Sequence, residues 1–480
     1  MPHATEDVIA LYARSDGLVL GELVRRGDLS PDELVEAAVT IIERLNPHLN
    51  AVVHTLYDMA RSAVPAVDRN APFAGVPYLL KEAGTMWAGA PMTSASAWMR
   101  NVVASDDAEI VRRIKAAGFL LMGKSNAPEN GWCLSTEPRL YGATRNPWRD
   151  DMTPGGSSGG SAASVAAGMV PIAEASDGAG SIRVPASCCG IVGLKPSRGR
   201  ITMSPGGDAW YGCAYDLCVS RTVRDTAAYL DAVAGVLPGD PYQAPRPDAS
   251  WLELAAQPPI PLRIGFSVTP PDGSPVHTEA ATAVHRTASV LARLGHHVEE
   301  HNLPSWLADV WTTYTRMTAV HTARTFDARA PLVGAAVTQS DVEPLTWAVI
   351  ERGRSLSGPQ HSADIEAIRL ASRGICTELL PYDIFVTPTL TQPPRPLGYW
   401  DMSEPDLDRY NAKWTDGAFM YPFNISGQPA ISLPLHWPSD DLPIGVQLVG
   451  RHGDEAGVLS VAHVLEQEMP WRERTPARPV

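Results

Sequence analysis

Short apolar runs that alternate with helical patterns restrict the fold of this chain more than any other feature of its sequence. Apolar runs at 76–80, 119–123 and 262–266 predict buried strands, and residues 106–117 and 276–294 have the periodicity of amphipathic helices. Such alternation is typical of an α/β architecture. The sequence therefore predicts helices packed against a sheet.

The two ends of the chain carry further predicted elements. Residues 30–46 are predicted to form a helix, because Ser30 and Glu33 can form a capping box and Pro31 suits the first turn. Pro47 is predicted to end this helix. Toward the C-terminus we expect a strand at 382–390, paired strands at 432–437 and 444–450, and a closing helix at 455–468.

Composition excludes several classes of protein. The chain has 480 residues, of which 44% are hydrophobic, so it can bury a large core. A net charge of −14 argues against non-specific binding to nucleic acid or to an anionic membrane. No apolar run reaches about 18 residues and no secretory signal pattern is present, so we expect a cytoplasmic protein without a membrane span. The 13 histidines are scattered and no HExxH motif occurs, so no metal is expected.

Lys81 stands out because lysine is rare in this chain. Only five of the 39 basic residues are lysines, and Lys81 directly follows the apolar run at 76–80. Taken alone, Lys81 can be a strand-end cation whose side chain reaches solvent, or an ion-pair partner of Glu82. A buried lysine would instead be a candidate base, because burial lowers the pKa of an ammonium group.

A second unusual segment is the run of glycine, serine and alanine at 153–168. It can be a flexible linker or a phosphate-binding loop, but such a loop would end in GK[ST], and here Gly160 is followed by Ser161. The small residues that follow, SAASVAAGM, favour a closely packed helix over a linker.

The third segment is DGAGSIR, in which Ser181 follows three small residues. Small residues before a serine let successive backbone N–H groups converge on a developing oxyanion. The alternative is a glycine-rich turn before a strand, with Ser181 and Arg183 as ordinary surface residues. The three small residues are Gly178, Ala179 and Gly180.

Together the three segments indicate hydrolysis of an acyl group, which needs a nucleophile, a proton acceptor and an oxyanion site. No histidine lies beside either serine segment, and we find no GxSxG nucleophile elbow, in which the motif directly follows a buried strand. Lys81 is then the candidate base, and its pKa must fall from about 10.4 by roughly three units to leave it neutral at pH 7. Ser157 can relay a proton between Lys81 and Ser181, because a hydroxyl group both donates and accepts.

These segments resemble the amidase signature family. GGSSGGSAASVAAG and DGAGSIRVPA are similar to its two most specific motifs, and the 24 positions from Ser157 to Ser181 match the family's spacing. The resemblance implies that Ser181 is the nucleophile, that Ser157 is a bridging serine with a cis peptide bond, and that Lys81 is the base. It also implies an oxyanion hole and supporting residues: the N–H groups of Gly178, Ala179, Gly180 and Ser181, supported by Ser158, Asp177 and Arg183.

Two positions depart from the family pattern. Ala179 stands where most members have glycine, and Glu82 replaces the commoner aspartate after the lysine. Neither change removes a catalytic group. The segments FAGVPYLLK, STEPRLYGATRNPW and SIRVPASCCGIVGLKP are most similar to the 6-aminohexanoate-cyclic-dimer hydrolase branch of the family.

The resemblance also implies a substrate pocket. In the family, the segment before the glycine- and serine-rich run lines the acyl pocket, and here that segment is NGWCLST at 130–136. Its apolar side chains can form a pocket wall or can belong to the core. Cys133 has no basic neighbour and is not expected to be a nucleophile. The implied pocket residues are Gly131, Trp132, Cys133 and Leu134.

The fold implied by the resemblance is a single large α/β domain over residues 1–480, with a mixed central β-sheet covered by helices on both sides. We expect a helical N-terminal part at 1–68 and the catalytic core at 69–235. A variable substrate-side region, followed by the last core strands and helix, is expected at 236–480. The residues alone leave open whether the proline-rich stretch at 237–262 is a domain boundary or an insertion within one domain.

The function implied is a cofactor-free amide hydrolase that works through an acyl-enzyme, as a monomer or homodimer. Its substrate would be a hydrophobic aryl or alkyl amide or an aminohexanoate-type amide, with esters and carbamates (urethanes) as further substrates. We expect a small molecule and water as partners, and no nucleic acid or membrane. Two rivals are the amidase-like component of a glutamyl-tRNA(Gln) amidotransferase, which shares the triad within a complex, and a non-catalytic binding protein on the same scaffold.

Overall fold

A computed structural model describes residues 5–438 and 442–476 of the chain. Within these residues the chain forms eleven strands and sixteen α-helices, joined by turns and short 3₁₀ helices. The strands are β1 (Val52–Thr55), β2 (Pro77–Lys81), β3 (Leu120–Ser125), β4 (Ile172–Asp177), β5 (Val192–Lys195), β6 (Tyr215–Ser220), β7 (Arg263–Phe266), β8 (His297–Glu300), β9 (Ile384–Pro388), β10 (Ala430–His436) and β11 (Ile444–Gly450). The helices are α1 (Glu6–Arg14), α2 (Gly17–Arg26), α3 (Pro31–Leu49), α4 (Tyr57–Ala63), α5 (Glu109–Ala116), α6 (Gly159–Ala166), α7 (Arg183–Cys189), α8 (Val223–Val233), α9 (Trp251–Ala255), α10 (Thr278–Arg293), α11 (Leu307–Val333), α12 (Pro344–Ser355), α13 (Gly358–Glu378), α14 (Leu407–Asn411), α15 (Tyr421–Ser426) and α16 (Glu455–Glu468).

The eleven strands form one mixed sheet in the order β1-β3-β2-β4-β6-β5-β10-β11-β9-β7-β8. Strands β3, β2 and β4 are parallel neighbours near one end, and β9, β7 and β8 are parallel neighbours at the other. The strands between these two groups pair antiparallel. The predicted α/β fold with a mixed central sheet is therefore confirmed.

Helices cover both faces of the sheet, as alternate residues of a single strand show. In β9, Ile384 and Val386 belong to a hydrophobic cluster that includes residues of α10 and α16. Phe385 between them belongs to a second cluster, which includes residues of α11 and α15. Because successive side chains of a strand point to opposite faces, the two sets of helices lie on opposite sides of the sheet.

The predicted capping box of Ser30 and Glu33 is confirmed at the start of α3, but the predicted end of this helix is wrong. Pro47 lies inside the last turn, and the helix continues to Leu49. Proline removes one backbone donor, yet the turn persists. Leu49 is buried, and the Asn46 side chain accepts hydrogen bonds from the backbone N–H groups of Ala51 and Val52.

The proline-rich stretch at 237–262 lies within one domain. Strands that precede it and strands that follow it belong to the same sheet, and α9 inside it packs against α8 and α16. The finer division at residues 68 and 235 remains a prediction. In the part of the chain that the structure describes, the search for a helix long and apolar enough to cross a membrane finds none.

Candidate active site

Lys81 is buried at the end of β2, with 1% of its surface exposed. Its Nζ donates hydrogen bonds to Ser157 Oγ and to Ser176 Oγ, both at 2.8 Å. The side chain therefore does not reach solvent as a strand-end cation would. The neighbouring Glu82 pairs with a different lysine, since its Oε2 lies 3.7 Å from the Nζ of Lys124.

Ser157 reaches Lys81 from the loop before α6. The peptide bond between Gly156 and Ser157 is cis. A Cβ at Gly156 would lie only 2.4 Å from the carbonyl oxygen of Ser135, so the close packing of this loop requires glycine. Ser158 ties the loop to β4, because its Oγ accepts a hydrogen bond from Ser176 N and donates one to Ser176 O, both at 3.3 Å.

Ser181 lies in the loop between β4 and α7, and 8% of its surface is exposed. Gly180 has a φ of +119°, and a Cβ there would lie 2.8 Å from the Met420 side chain, so this position suits only glycine. The N–H of Gly180 donates to Asp177 Oδ1 at 2.7 Å. Of the four N–H groups expected to bind an oxyanion, that of Gly180 is thus already engaged.

The other three expected donors are the N–H groups of Gly178, Ala179 and Ser181. A Cβ at Gly178 would lie 2.4 Å from the Trp210 ring, which packs over this part of the loop. The methyl group of Ala179, which departs from the family pattern, is buried in the second hydrophobic cluster. It is accommodated by packing beside the loop.

Asp177 and Arg183 brace the loop at 178–182, which carries the predicted nucleophile and is called the nucleophile loop below. The guanidinium of Arg183 contacts both carboxylate oxygens of Asp177 at 2.9 Å, and both side chains are fully buried. Arg183 also donates to Asn424 Oδ1 and Gln447 Oε1, each at 2.6 Å. Although burial alone would raise it, the ion pair with Arg183 holds the pKa of Asp177 well below its ordinary value. The loop is therefore fixed by a fully paired buried network.

We expect Arg183→Met to lower the free energy of unfolding by about 3–5 kcal/mol, because it leaves the Asp177 carboxylate buried without its partner. Urea unfolding followed by circular dichroism measures the change. Arg263→Met is the matched control, because Arg263 forms an exposed ion pair with Glu299 and its loss should leave the unfolding midpoint nearly unchanged. Equal midpoints for the two variants would contradict a bracing role for Arg183.

Three polar residues near Lys81 lie in no motif from which the sequence could predict them as part of the site: Ser176, Glu174 and Asp216. Glu174 and Ser176 are two positions apart in β4, so their side chains lie on the same face of the sheet. Asp216 in β6 is paired with Ser176. Burial lowers the pKa of Lys81 to about 8, against the opposing negative charges of Asp216, Glu174 and Asp177. Burial also raises the pKa of Glu174 to about 7 and that of Asp216 to about 6. Lys81 is thus held near the pH range in which a lysine can accept a proton.

Lys81, Ser157 and Ser181 all line one cavity of about 490 Å³. Part of its lining is apolar, from Met86, Ile110 and Trp210 among others. The helix α11 forms another wall and is joined to the nucleophile loop, because the Tyr314 hydroxyl donates to the carbonyl oxygen of Gly178. Within residues 5–438 and 442–476, no cluster of three or more His, Cys, Asp or Glu side chains is arranged to hold a metal ion.

The sequence leaves two interpretations of NGWCLST open, a pocket wall and the core. Among its residues, Asn130 and Gly131 line the cavity, and the apolar side chains that follow do not. Trp132, Cys133 and Leu134 are buried in the second hydrophobic cluster. The Trp132 indole N–H donates to Thr322 Oγ1 at 3.0 Å, which turns the ring toward α11. Burial raises the pKa of the Cys133 thiol to about 12, so this cysteine is not an activated nucleophile.

Trp132→Ala is therefore expected to act on stability, with a loss of about 3–5 kcal/mol, as for other buried aromatic residues. The kcat/KM values for a small aliphatic amide and a bulky aryl amide should fall together. Thermal melts and the two kcat/KM values decide the matter. A change of more than about tenfold in their ratio without a change in melting temperature would make Trp132 a pocket residue after all.

Comparison with known proteins identifies the family of this chain. The Amidase family model matches residues 33–459. A 6-aminohexanoate-cyclic-dimer hydrolase of Paenarthrobacter ureafaciens is 39% identical over 476 residues, which cover 96% of each chain. A solved structure of 6-aminohexanoate cyclic dimer hydrolase complexed with substrate matches with a TM-score of 0.93 at 38% identity, over 97% of this chain and 99% of that one.

The solved structure of a glutamyl-tRNA(Gln) amidotransferase component from Thermotoga maritima is a more distant match. It has a TM-score of 0.79 at 26% identity, over 100% of both chains. The family model spans most of the chain, and the Paenarthrobacter ureafaciens relative is matched over almost its full length. The chain belongs to the amidase signature family and is an amide-bond hydrolase that acts on carbon–nitrogen bonds other than peptide bonds.

Proposed function

We propose that Ser181 is the nucleophile of this hydrolase and that Ser157 and Lys81 move its proton. The observation that carries the proposal is the 2.8 Å contact between Lys81 Nζ and Ser157 Oγ in the wall of the cavity that Ser181 also lines. A neutral Lys81 can accept a proton from Ser157, and Ser157 can accept one from Ser181. Neither step needs a histidine.

In the first half of the reaction, the Ser181 Oγ–carbon bond forms and the carbonyl oxygen gains negative charge. The N–H groups of Gly178, Ala179 and Ser181 are the proposed donors to this oxyanion. The C–N bond then breaks as Ser157 returns a proton to the leaving nitrogen, and Lys81 reprotonates Ser157. In the second half, water attacks the acyl-enzyme by the same proton route and releases the carboxylic acid.

The proposed substrates are small amides with a hydrophobic acyl or amine portion. A cavity of about 490 Å³ with apolar side chains in its lining suits a molecule of this kind. The relatives named for the 6-aminohexanoate cyclic dimer support amides with flexible alkyl chains. Esters and carbamates present the same acyl carbonyl to Ser181, so hydrolysis of both is part of the proposal.

A fluorophosphonate probe followed by peptide mass spectrometry tests the nucleophile. We expect one covalent adduct, on the peptide that contains Ser181, and protection from labelling by a slowly hydrolysed ester. An adduct on Ser157 or Cys133 instead would overturn the assignment. An amidase assay of the chain purified alone distinguishes the proposal from the amidotransferase alternative. We expect activity without any added protein, whereas a component of an amidotransferase would need its partner proteins.

A further inference from the structure

Arg329 places a cation in the wall of the active-site cavity, yet it has few partners of its own. Its Nη1 donates to Ser94 Oγ at 3.0 Å and lies 3.6 Å from Met99 Sδ. The nearby Glu82 uses one carboxylate oxygen to accept from Ser94 N and directs the other toward Lys124. Among residues 5–438 and 442–476, no carboxylate forms an ion pair with Arg329, and Nη2 makes no hydrogen bond.

Arg329 lies on the face of α11 that lines the cavity. His321, Thr325 and Arg329 recur every four residues along α11, so they lie on one face of this helix, and all three line the cavity. Burial, together with nearby positive charge, lowers the pKa of His321 to about 4, which leaves that ring neutral at pH 7. Opposite the helix, Gly84 provides room for the guanidinium, since a Cβ there would lie 2.7 Å from Nη2.

Contacts connect Arg329 to the Ser157 side of the site. The backbone oxygen of Ser94, the residue that Arg329 contacts, accepts a hydrogen bond from Asn130 N at 2.9 Å. At the next position, Gly131, a Cβ would lie 3.3 Å from Ser157 Oγ. In the proposed mechanism Ser157 returns a proton to the leaving nitrogen. This chain of contacts, from Arg329 through Ser94 and Asn130 to the neighbourhood of Ser157, is the basis for placing Arg329 on the side of the amine portion of the substrate.

We propose that Arg329 binds a carboxylate on the amine portion of the substrate, so that the preferred substrates are N-acyl amino acids. A guanidinium presents two parallel N–H donors that match a carboxylate. Glu82 is close enough to act on the charge of Arg329, but no carboxylate in the described part of the chain contacts it, so a substrate carboxylate would form its first direct ion pair. The inference rests on the proposed function, because it takes the position of the leaving amine from the roles of Ser157 and Ser181. It narrows that function from amides in general to amides with a terminal acid.

The test compares amides with and without a carboxylate, and the 6-aminohexanoate and pentylamine derivatives differ only in this group. The N-hexanoyl derivatives of glycine, 4-aminobutyrate and 6-aminohexanoate are assayed beside neutral N-hexanoylpentylamine, with the released amine measured by fluorescamine. We expect wild-type kcat/KM to be at least tenfold higher for one of the acids than for the neutral amide, the lower range for a charge-assisted contact. Arg329→Gln should raise KM for that acid about tenfold or more, while the neutral amide changes less than threefold.

Two further variants make the outcome decisive. Arg324→Gln, on the exposed side of the same helix, should keep the preference for the acid. Arg329→Lys retains the charge and should keep part of the preference, which covers the case in which Arg329→Gln does not fold. Hydrolysis of the neutral amide without any preference for an acid, or a preference that survives in Arg329→Gln, overturns the inference and leaves the proposed function standing. If the enzyme hydrolyses none of the amides in the set, the result counts against the proposed function itself.

Discussion

Ser181→Ala should abolish amide hydrolysis and leave the fold intact. We expect kcat to fall by at least about 10⁴-fold, because in the proposed mechanism Ser181 alone attacks the carbonyl and removal of a catalytic serine typically costs more than this. The fold should persist, since the nucleophile loop is held by the Asp177 and Arg183 network and not by the Ser181 hydroxyl. Release of hexanoate from N-hexanoylpentylamine measures kcat, and a thermal melt checks the fold.

The matched control is Ser204→Ala, which removes another serine hydroxyl from the lining of the same cavity. Its kcat should stay within threefold of the wild-type value, because Ser204 has no part in the proposed proton route. Retention of more than a hundredth of wild-type activity by Ser181→Ala would show that a different group attacks the carbonyl.

The elements of the fold can be predicted because they depend on local patterns. The sequence predicts the strand at 444–450 and the helix at 455–468 with the bounds that the structure shows, since apolar runs and helical periodicity are properties of neighbouring residues. The order of the strands is not such a property. Strand β5 pairs with β10, whose residues follow more than 230 positions later, and no pattern within either strand specifies this partner.

The same distinction applies to the candidate site. Lys81, Ser157 and Ser181 could be proposed because each lies in an unusual local segment. Asp216 and Arg329 could not, because β6 and α11 reach the cavity only through the tertiary fold. Trp132 shows the converse problem, since a large apolar side chain suits a pocket wall and a core equally well. Its burial in the second hydrophobic cluster, outside the cavity lining, becomes visible only in the tertiary structure.

Lys81→Arg should lose about 10²–10⁴-fold in kcat, the usual contribution of a general base, although it preserves a positive charge at this position. Arginine stays protonated in a protein and cannot accept the proton that Ser157 passes on. Lys115→Arg is the control, because Lys115 is a half-exposed lysine paired with Asp107 and its replacement should leave turnover unchanged. Near-normal turnover by Lys81→Arg would show that Lys81 acts only as a structural cation and not as a base.

The pH profile gives an independent test of the same base. Since burial lowers the pKa of Lys81 to about 8, the neutral amine that accepts a proton is the minor form at pH 7 and the major form above pH 8. We expect kcat/KM to fall about tenfold per pH unit below 8 and to level off above it. Asp216 and Glu174 lose protons near pH 6 and 7. Their negative charges favour protonated Lys81, so they raise the pKa of Lys81 and with it the midpoint of the profile. A profile that is flat from pH 6 to 9, with chemistry shown to be rate-limiting by a solvent isotope effect, would mean that the proton leaves Ser181 by a route that does not include Lys81.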